Sequence, residues 1–214
     1  TTLRALARAL TAEGRYAALH FSCEGAEPAQ DDFGRAERLV LQSIRQRSGD
    51  DLPPDVQPPL PWPAAEPGAC LGAGIHAWAK TCVRPVVLFF DEIDALQGES
   101  LRSVLRQLRA AYAERPAAAP QSVVLCGLRD VRDYKAASGG DPGRLGTSSP
   151  FNVKPKSLRI GDFTEAEARG LYAQDTEETG QPFVEEALAA AFELHQGQPW
   201  LCNALAREVI EKWG

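Results

Sequence analysis

Two acidic residues, Asp91 and Glu92, directly follow a run of five apolar residues, Val86-Val87-Leu88-Phe89-Phe90. A run of this length, rich in Val and Phe, predicts a strand that is buried on both faces, as in the middle of a parallel sheet. Ligands of open α/β sheets bind beyond the carboxyl ends of the strands, so the two carboxylates would lie at the edge of a ligand site. The alternative is an acidic N-cap that follows an ordinary buried strand.

The order of the predicted elements places this strand inside a sheet. Four helices are predicted: Thr1–Glu13, a helix that begins at Asp31 and Asp32 and continues through Ile44, Leu71–Ala79, and Leu101–Tyr112. Four strands are predicted: Arg15–Cys23, Val86–Phe90, Gln121–Cys126 and Ser157–Ile160. Of these, Gln121–Cys126 is predicted to be buried like Val86–Phe90. The alternation of strand and helix predicts an α/β fold with a parallel sheet covered by helices. We expect Val86–Phe90 to pair in parallel with Tyr16–Phe21 on one side and with Ser122–Cys126 on the other.

The pattern becomes purely helical after Gly161. A capping box, Thr164-Glu165-Ala166-Glu167, predicts the start of one helix. Two further helices are predicted near Glu185–His195 and Gln198–Lys212. The sequence therefore divides into an α/β core at residues 1–160 and a small all-helical subdomain at residues 161–214.

The proline-rich segment from Pro53 to Pro67 interrupts the regular pattern. Neither a helix nor a central strand tolerates so many prolines, so the segment is predicted to be an extended surface insertion around Trp62. A polyproline II ligand for another domain is the alternative to a simple long loop.

Composition excludes several classes of protein. The apolar share of 44% and the charged share of 24% are those of an ordinary globular protein, and the net charge of −6 argues against a general nucleic-acid-binding surface. No apolar run approaches the ~20 residues that a membrane-spanning helix needs. The five cysteines are scattered and lack CxxC spacing, which indicates reduced core residues and a cytoplasmic location. The three histidines, His20, His76 and His195, are interpreted as packing residues rather than ligands.

Four segments, in the same order along the chain, resemble one known family. Thr1–Leu6 resembles the helix that follows a Walker A loop, and Phe90–Asp94 is similar to a Walker B motif. Val124–Asp130 resembles the next strand with its sensor position, and Gly197–Leu201 resembles the Gly-x-Pro element of a helical lid. Together they make the chain similar to bacterial AAA-like ATPase domains of the archaeal-ATPase/STAND type, within the P-loop NTPases.

This resemblance implies a fold, two cofactors and a set of roles. The fold would be the three-layer parallel sheet of P-loop NTPases, and residues 161–214 would form a lid over the nucleotide. The cofactors would be ATP and Mg²⁺, with Asp91 as the metal ligand and Glu92 as the base that deprotonates the attacking water. Pro199 would lie against the nucleotide.

The phosphate-binding Walker A loop of that family is not among these residues, because no lysine in the chain follows a glycine. The resemblance implies that the loop and its strand precede Thr1, so that Thr1 and Thr2 would begin the helix beside the phosphates. Thr1 would then ligate Mg²⁺ if the lysine directly precedes it, and otherwise a residue upstream would do so. We expect residues 1–214 alone not to hydrolyse ATP.

Arg129 would leave the end of the sensor strand beside the γ-phosphate. There it would stabilise charge in the transition state, within its own subunit or across an interface. A salt bridge with Asp130 or Asp133 is the equally weighted alternative, and Arg132 is a weaker candidate for the same role.

Two functions from different classes follow. The first is an ATP-binding and ATP-hydrolysing domain that serves as a switch or motor for an unidentified output. The second is a non-catalytic protein-interaction module that keeps the fold without a working nucleotide site. The sequence leaves self-association and other protein partners open.

Overall fold

The computed structural model describes residues 2–128 and 158–213. The chain divides into two compact units, Thr1–Ser157 and Leu158–Gly214, called unit 1 and unit 2 below. The predicted boundary at residue 160 lies close to this division.

Unit 1 is built on a three-stranded parallel sheet. Its strands are β1 (Ala17–Ser22), β2 (Val86–Asp91) and β3 (Ser122–Leu125), in the order β1-β2-β3. In the register of the sheet, Leu88 of β2 lies opposite Leu19 and Val123. The predicted central position of β2 and its parallel pairing with both neighbours are confirmed.

Helices cover both faces of the sheet, because β2 is apolar at every position from Val86 to Phe90. The helices of unit 1 are α1 (Thr2–Ala12), α2 (Phe33–Asp51), α3 (Cys70–Thr81) and α4 (Gly98–Ala110). Leu88 and Phe90 pack in one core with residues of α2, α3 and α4. Val87 and Phe89 face the other way and pack against Ala7 of α1. The mixed α/β class is therefore as predicted.

Helix α1 is fixed at both ends. The hydroxyl of Thr11 donates to the carbonyl oxygen of Ala18 at 3.1 Å and accepts from its amide at 3.0 Å. Near the other end, Arg4 binds the carboxylate of Asp51 with two hydrogen bonds, and Arg8 adds a third at 2.7 Å. These charge-assisted bonds tie α1 to the last turn of α2 and lower the pKa of Asp51.

The proline-rich segment is more buried than the sequence predicts. Val56 is fully buried and its carbonyl oxygen accepts a hydrogen bond from the indole of Trp78 at 3.0 Å. Trp62 packs so closely on Gly74 that a β-carbon there would lie 3.1 Å from its ring. Ten of the fifteen residues from Pro53 to Pro67 are exposed, as the predicted surface insertion requires, but Val56, Pro58 and Trp62 are buried or partly buried and cover the core.

Glu37 of α2 is a fully buried carboxylate that connects three elements. It accepts hydrogen bonds from the amides of Gly68 and Cys70 at the start of α3, and from Ser103 and Gln107 of α4 at 2.7 and 2.9 Å. The carboxylate lies at the N-terminal end of α3, where backbone amides lack partners within the helix. A buried carboxylate is tolerated here because each of its partners donates a hydrogen bond to it.

Asp31 and Asp32 do not open the same helix. Asp32 caps α2 by accepting from the amide of Arg35 at 2.9 Å, as predicted. Asp31 instead accepts from the amide of Glu99 at 2.9 Å and so caps α4. Gly98 at that point has φ +48, and a β-carbon on it would overlap the Asp31 carboxylate. The assignment of Asp31 to α2 was wrong, since the sequence does not reveal which of two helix ends a carboxylate reaches.

Unit 2 consists of three helices, α5 (Glu165–Thr179), α6 (Glu185–His195) and α7 (Pro199–Trp213). The predicted capping box of Thr164 and Glu167 is confirmed. Gly197, between α6 and α7, has φ +79, and a β-carbon on it would overlap the carbonyl oxygen of Phe163. Only glycine fits this turn without strain.

Two strand predictions need correction. Residues 158–160, the described part of the predicted strand Ser157–Ile160, belong to no strand, and Leu158 and Ile160 are exposed. So short a segment is not stable as a strand without a partner. Strand β3 was predicted to be buried but is half-buried throughout. Within residues 2–128 and 158–213, no strand pairs with its second edge.

Candidate functional site

Polar side chains collect where β1, β2 and β3 end. Ser22 ends β1 and lies in register with Asp91, which ends β2. Glu92 follows Asp91, and Cys126 follows β3. Parallel strands end at the same edge of a sheet, so these residues form one group there, called the acidic site below.

Asp91 is held by hydrogen bonds on both carboxylate oxygens. Its Oδ2 lies 2.8 Å from Nε2 of His20, and its Oδ1 accepts from the amide of Glu92 at 3.0 Å. Burial opposes ionisation, but the hydrogen bonds from His20, the Cys126 thiol and the Glu92 amide outweigh it, so the pKa of Asp91 is lowered. Asp91 is therefore ionised at neutral pH.

The thiols of Cys126 and Cys23 are protonated and are not nucleophiles. Burial, together with the hydrogen bond to Asp91, raises the pKa of Cys126 to about 11. Burial likewise raises the pKa of Cys23, which lies just after Ser22. Because only the thiolate is reactive, neither cysteine offers covalent chemistry at neutral pH.

Glu92 has an unusual backbone conformation. Its φ of 53° and ψ of 43° lie in the left-handed region, which costs a residue with a side chain about 1–2 kcal/mol. The hydroxyl of Ser22 donates a hydrogen bond to Oε2 of Glu92 and accepts one from the amide of Glu24 at 2.9 Å. The exposed Glu92 carboxylate is thereby directed to the end of β1, beside Asp91.

Asp94 supports the loops around the site. Its Oδ1 accepts from the amide of Leu128 at 3.4 Å, and a β-carbon on Gly127 would lie only 2.6 Å from the same oxygen. The amide of Ile93 donates to the carbonyl oxygen of Cys126 at 2.9 Å. Asp94 therefore joins the loop after β2 to the loop after β3 and holds the edge of the sheet together.

The other predicted site residues either lie outside the described residues or begin a helix. Thr1 and Arg129 lie outside the described residues, as do Arg132 and the predicted salt-bridge partners Asp130 and Asp133. Thr2 begins α1, and no hydrogen bond within the described part of unit 1 joins it to Asp91 or Glu92. Pro199 begins α7 of unit 2, where a proline suits the first helical turn.

Two residues of the acidic site were missed from the sequence. His20, interpreted as a packing residue, contacts Asp91 instead, and Ser22 contacts Glu92. The available signal was their spacing, because His20 and Ser22 are polar residues two positions apart at the end of an otherwise apolar strand. In a strand that spacing puts both side chains on one face.

The acidic site offers two carboxylates, Asp91 and Glu92, as ligands for a cation. Among the described residues, no cluster of three or more His, Cys, Asp and Glu side chains can hold a metal ion by itself. Mg²⁺ keeps several waters and typically takes one or two carboxylates plus the phosphates of its substrate. The ionised Asp91 and the adjacent Glu92 provide such carboxylates.

Comparison with known proteins identifies no relative. No family model, no curated protein and no solved structure matches the chain. Among the helices within residues 2–128 and 158–213, none has the length and apolar character needed to cross a membrane. The acidic site at the end of the central strand is thus the feature from which a function can be argued.

Proposed function

We propose that this chain is a Mg²⁺-dependent ATP-binding and ATP-hydrolysing domain of the AAA-like, STAND type of P-loop NTPase. It would act as a switch or motor for an output domain. The observation that carries the proposal is the pair Asp91 and Glu92 at the end of the central strand of a parallel sheet, with Asp91 held ionised.

Asp91 is suited to hold the magnesium ion. Its two oxygens together accept from His20, the amide of Glu92 and the thiol of Cys126. A carboxylate offers about four lone-pair sites, so acceptor capacity is left for a water of the metal. A bound Mg²⁺ would neutralise charge on the phosphates. Because its pKa is raised, the Cys126 thiol stays protonated and adds no second negative charge beside Asp91.

Glu92 is suited to act as the general base. Its carboxylate is exposed, so a water can reach it, and the Ser22 hydroxyl restricts its orientation. A base must lie within hydrogen-bond reach of the water that it deprotonates. Its position next to Asp91 supports this role, since Glu92 would then lie beside a phosphate that shares the metal.

The test measures ATP binding and turnover in the intact protein with three variants. Glu92→Gln keeps an oxygen for the Ser22 hydroxyl and should still bind ATP, while turnover falls about 10²–10⁴-fold. Asp91→Asn should weaken Mg²⁺-dependent binding as well. Glu114→Gln removes the charge of an exposed carboxylate that pairs with His76, and should change neither. Unchanged turnover in Glu92→Gln would refute the catalytic assignment.

A non-catalytic protein-interaction module is the second candidate. It is favoured by large apolar side chains exposed on unit 2, namely Val184, Leu194 and Trp200, which are 61%, 73% and 70% exposed. Exposed apolar surface is typical of protein contact sites. An intact protein that binds no ATP with Mg²⁺ present would leave this candidate in place of the first.

A further inference from the structure

We propose that His20 is a positioning residue of the acidic site, which fixes the Asp91 carboxylate in the orientation that receives a divalent cation. The inference rests on the proposed function. His20 lies on β1, whereas Asp91 lies on β2. In the sequence, α2, the proline-rich segment and α3 separate the two strands.

The sheet itself brings the two side chains together. His20 lies in register with Phe89, so Asp91 is two residues farther along the neighbouring strand and on the same face. The face is that of Ala18, Val87 and Phe89, which pack against α1. The His20 side chain is only 12% exposed, and its Nε2 lies 2.8 Å from Oδ2 of Asp91.

The direction of this hydrogen bond follows from the chemistry of the pair. An ionised carboxylate can only accept, so Nε2 of His20 carries the proton and donates it. The other ring nitrogen, Nδ1, is buried and has no hydrogen-bond partner among the described residues.

The consequence for Asp91 is a fixed carboxylate plane. His20 holds Oδ2 while the amide of Glu92 holds Oδ1, so rotation about the side-chain bond would break a hydrogen bond on each side. Removal of a group that hydrogen-bonds to a metal-ligating side chain typically weakens metal binding about 10–100-fold. We expect His20 to contribute an effect of that size.

The test measures Mn²⁺ binding by electron paramagnetic resonance, with Mn²⁺ in place of Mg²⁺ and a non-hydrolysable ATP analogue present. His20→Phe removes the donor at similar volume and should weaken Mn²⁺ binding about 10–100-fold. His20→Gln retains an N–H donor and should recover most of the loss. His76→Phe is the matched control, because it removes an exposed histidine whose carboxylate partner, Glu114, is not in the acidic site.

A double-mutant cycle distinguishes positioning from a general effect on folding. In an Asp91→Asn background, His20→Phe should cause little further loss of Mn²⁺ affinity, since both changes remove one interaction. Additive losses would overturn the inference, and so would unchanged Mn²⁺ affinity in His20→Phe while the unaltered protein binds Mn²⁺ and nucleotide. If the unaltered protein binds neither, the proposed function fails, and this inference fails with it.

A measurement on the unaltered protein guards against a variant that does not fold. Nuclear magnetic resonance of ¹⁵N-labelled histidine should find a proton on Nε2 of His20. An Nε2 without a proton would contradict the donation to Asp91 and would overturn the inference without any substitution.

Discussion

Ser22 donates a hydrogen bond to the carboxylate of Glu92 across 70 positions of the chain. The two residues meet because β1 and β2 are parallel neighbours whose last residues, Ser22 and Asp91, lie in register. The bond joins a strand end to a residue in the left-handed backbone region. The acidic site thus combines a strained backbone with a side chain fixed from another strand, an arrangement typical of functional sites.

The left-handed backbone conformation of Glu92 predicts that two substitutions at this position differ in stability. Glu92→Ala and Glu92→Gly both remove the carboxylate and the bond to Ser22. Only alanine keeps a β-carbon at φ 53°, so the glycine variant should be more stable than the alanine variant by about 1 kcal/mol. Urea unfolding measures the difference. Equal stability, or a more stable alanine variant, would contradict the strain assigned to this position.

Arg129 stays a prediction of the sequence. If it stabilises the transition state, Arg129→Ala should lower ATP turnover while nucleotide affinity barely changes. If the arginine acts across an interface, mixing this variant with Glu92→Gln should restore part of the activity. A structural salt bridge would show itself by a lower melting temperature with normal turnover for each folded molecule.

We expect substitution of Glu37 to lower the stability of unit 1 strongly. Glu37→Ala leaves the amides of Gly68 and Cys70 and the side chains of Ser103 and Gln107 without their acceptor. Several unsatisfied buried donors should together cost about 3 kcal/mol or more of unfolding free energy.

Asp50→Ala, on the exposed side of the same helix, is the control for Glu37 and should stay within about 0.5 kcal/mol of the unaltered protein. Chemical denaturation followed by tryptophan fluorescence, with Trp200 and Trp213 of unit 2 replaced by Phe in every protein compared, makes the comparison for unit 1. A loss in Glu37→Ala no larger than in the control would contradict the role of Glu37.

We expect the stability of unit 2 to depend on pH because of His195. Burial lowers the pKa of His195, whose Nδ1 accepts a hydrogen bond from the amide of Gly197 at 2.9 Å and lies 3.2 Å from the sulfur of Cys202. The folded state therefore binds fewer protons than the unfolded state. Stability should then be full above a pH of about 6.5 and decrease as the pH falls below it.

Calorimetric melting between pH 7 and pH 5 checks the prediction for His195. His195→Gln can still accept from Gly197 but does not titrate, so its melting temperature should depend less on pH than that of the unaltered protein. An equally steep dependence in both proteins would show that other groups cause it.

Part of the fold and of the acidic site could be predicted from the sequence. The central strand, its two parallel neighbours and the acidic pair at its end follow from local patterns, because an apolar run and the charges after it are contiguous. His20 and Ser22 were not predicted as site residues, since their contacts depend on the register between strands. Glu37 was missed for a related reason: a single glutamate in an amphipathic helix gives no sign of the donors that surround it.

The segment between β1 and α2 has a fixed length. It begins at Cys23, directly after the Ser22 that contacts Glu92, and ends with Asp31 and Asp32, which cap α4 and α2. Insertion of one residue would move one of the two carboxylates off its helix or displace Ser22. We therefore expect natural variants of this protein to keep the spacing from Ser22 to Asp32, but to differ in the number of residues around Leu60, an exposed residue of the proline-rich segment.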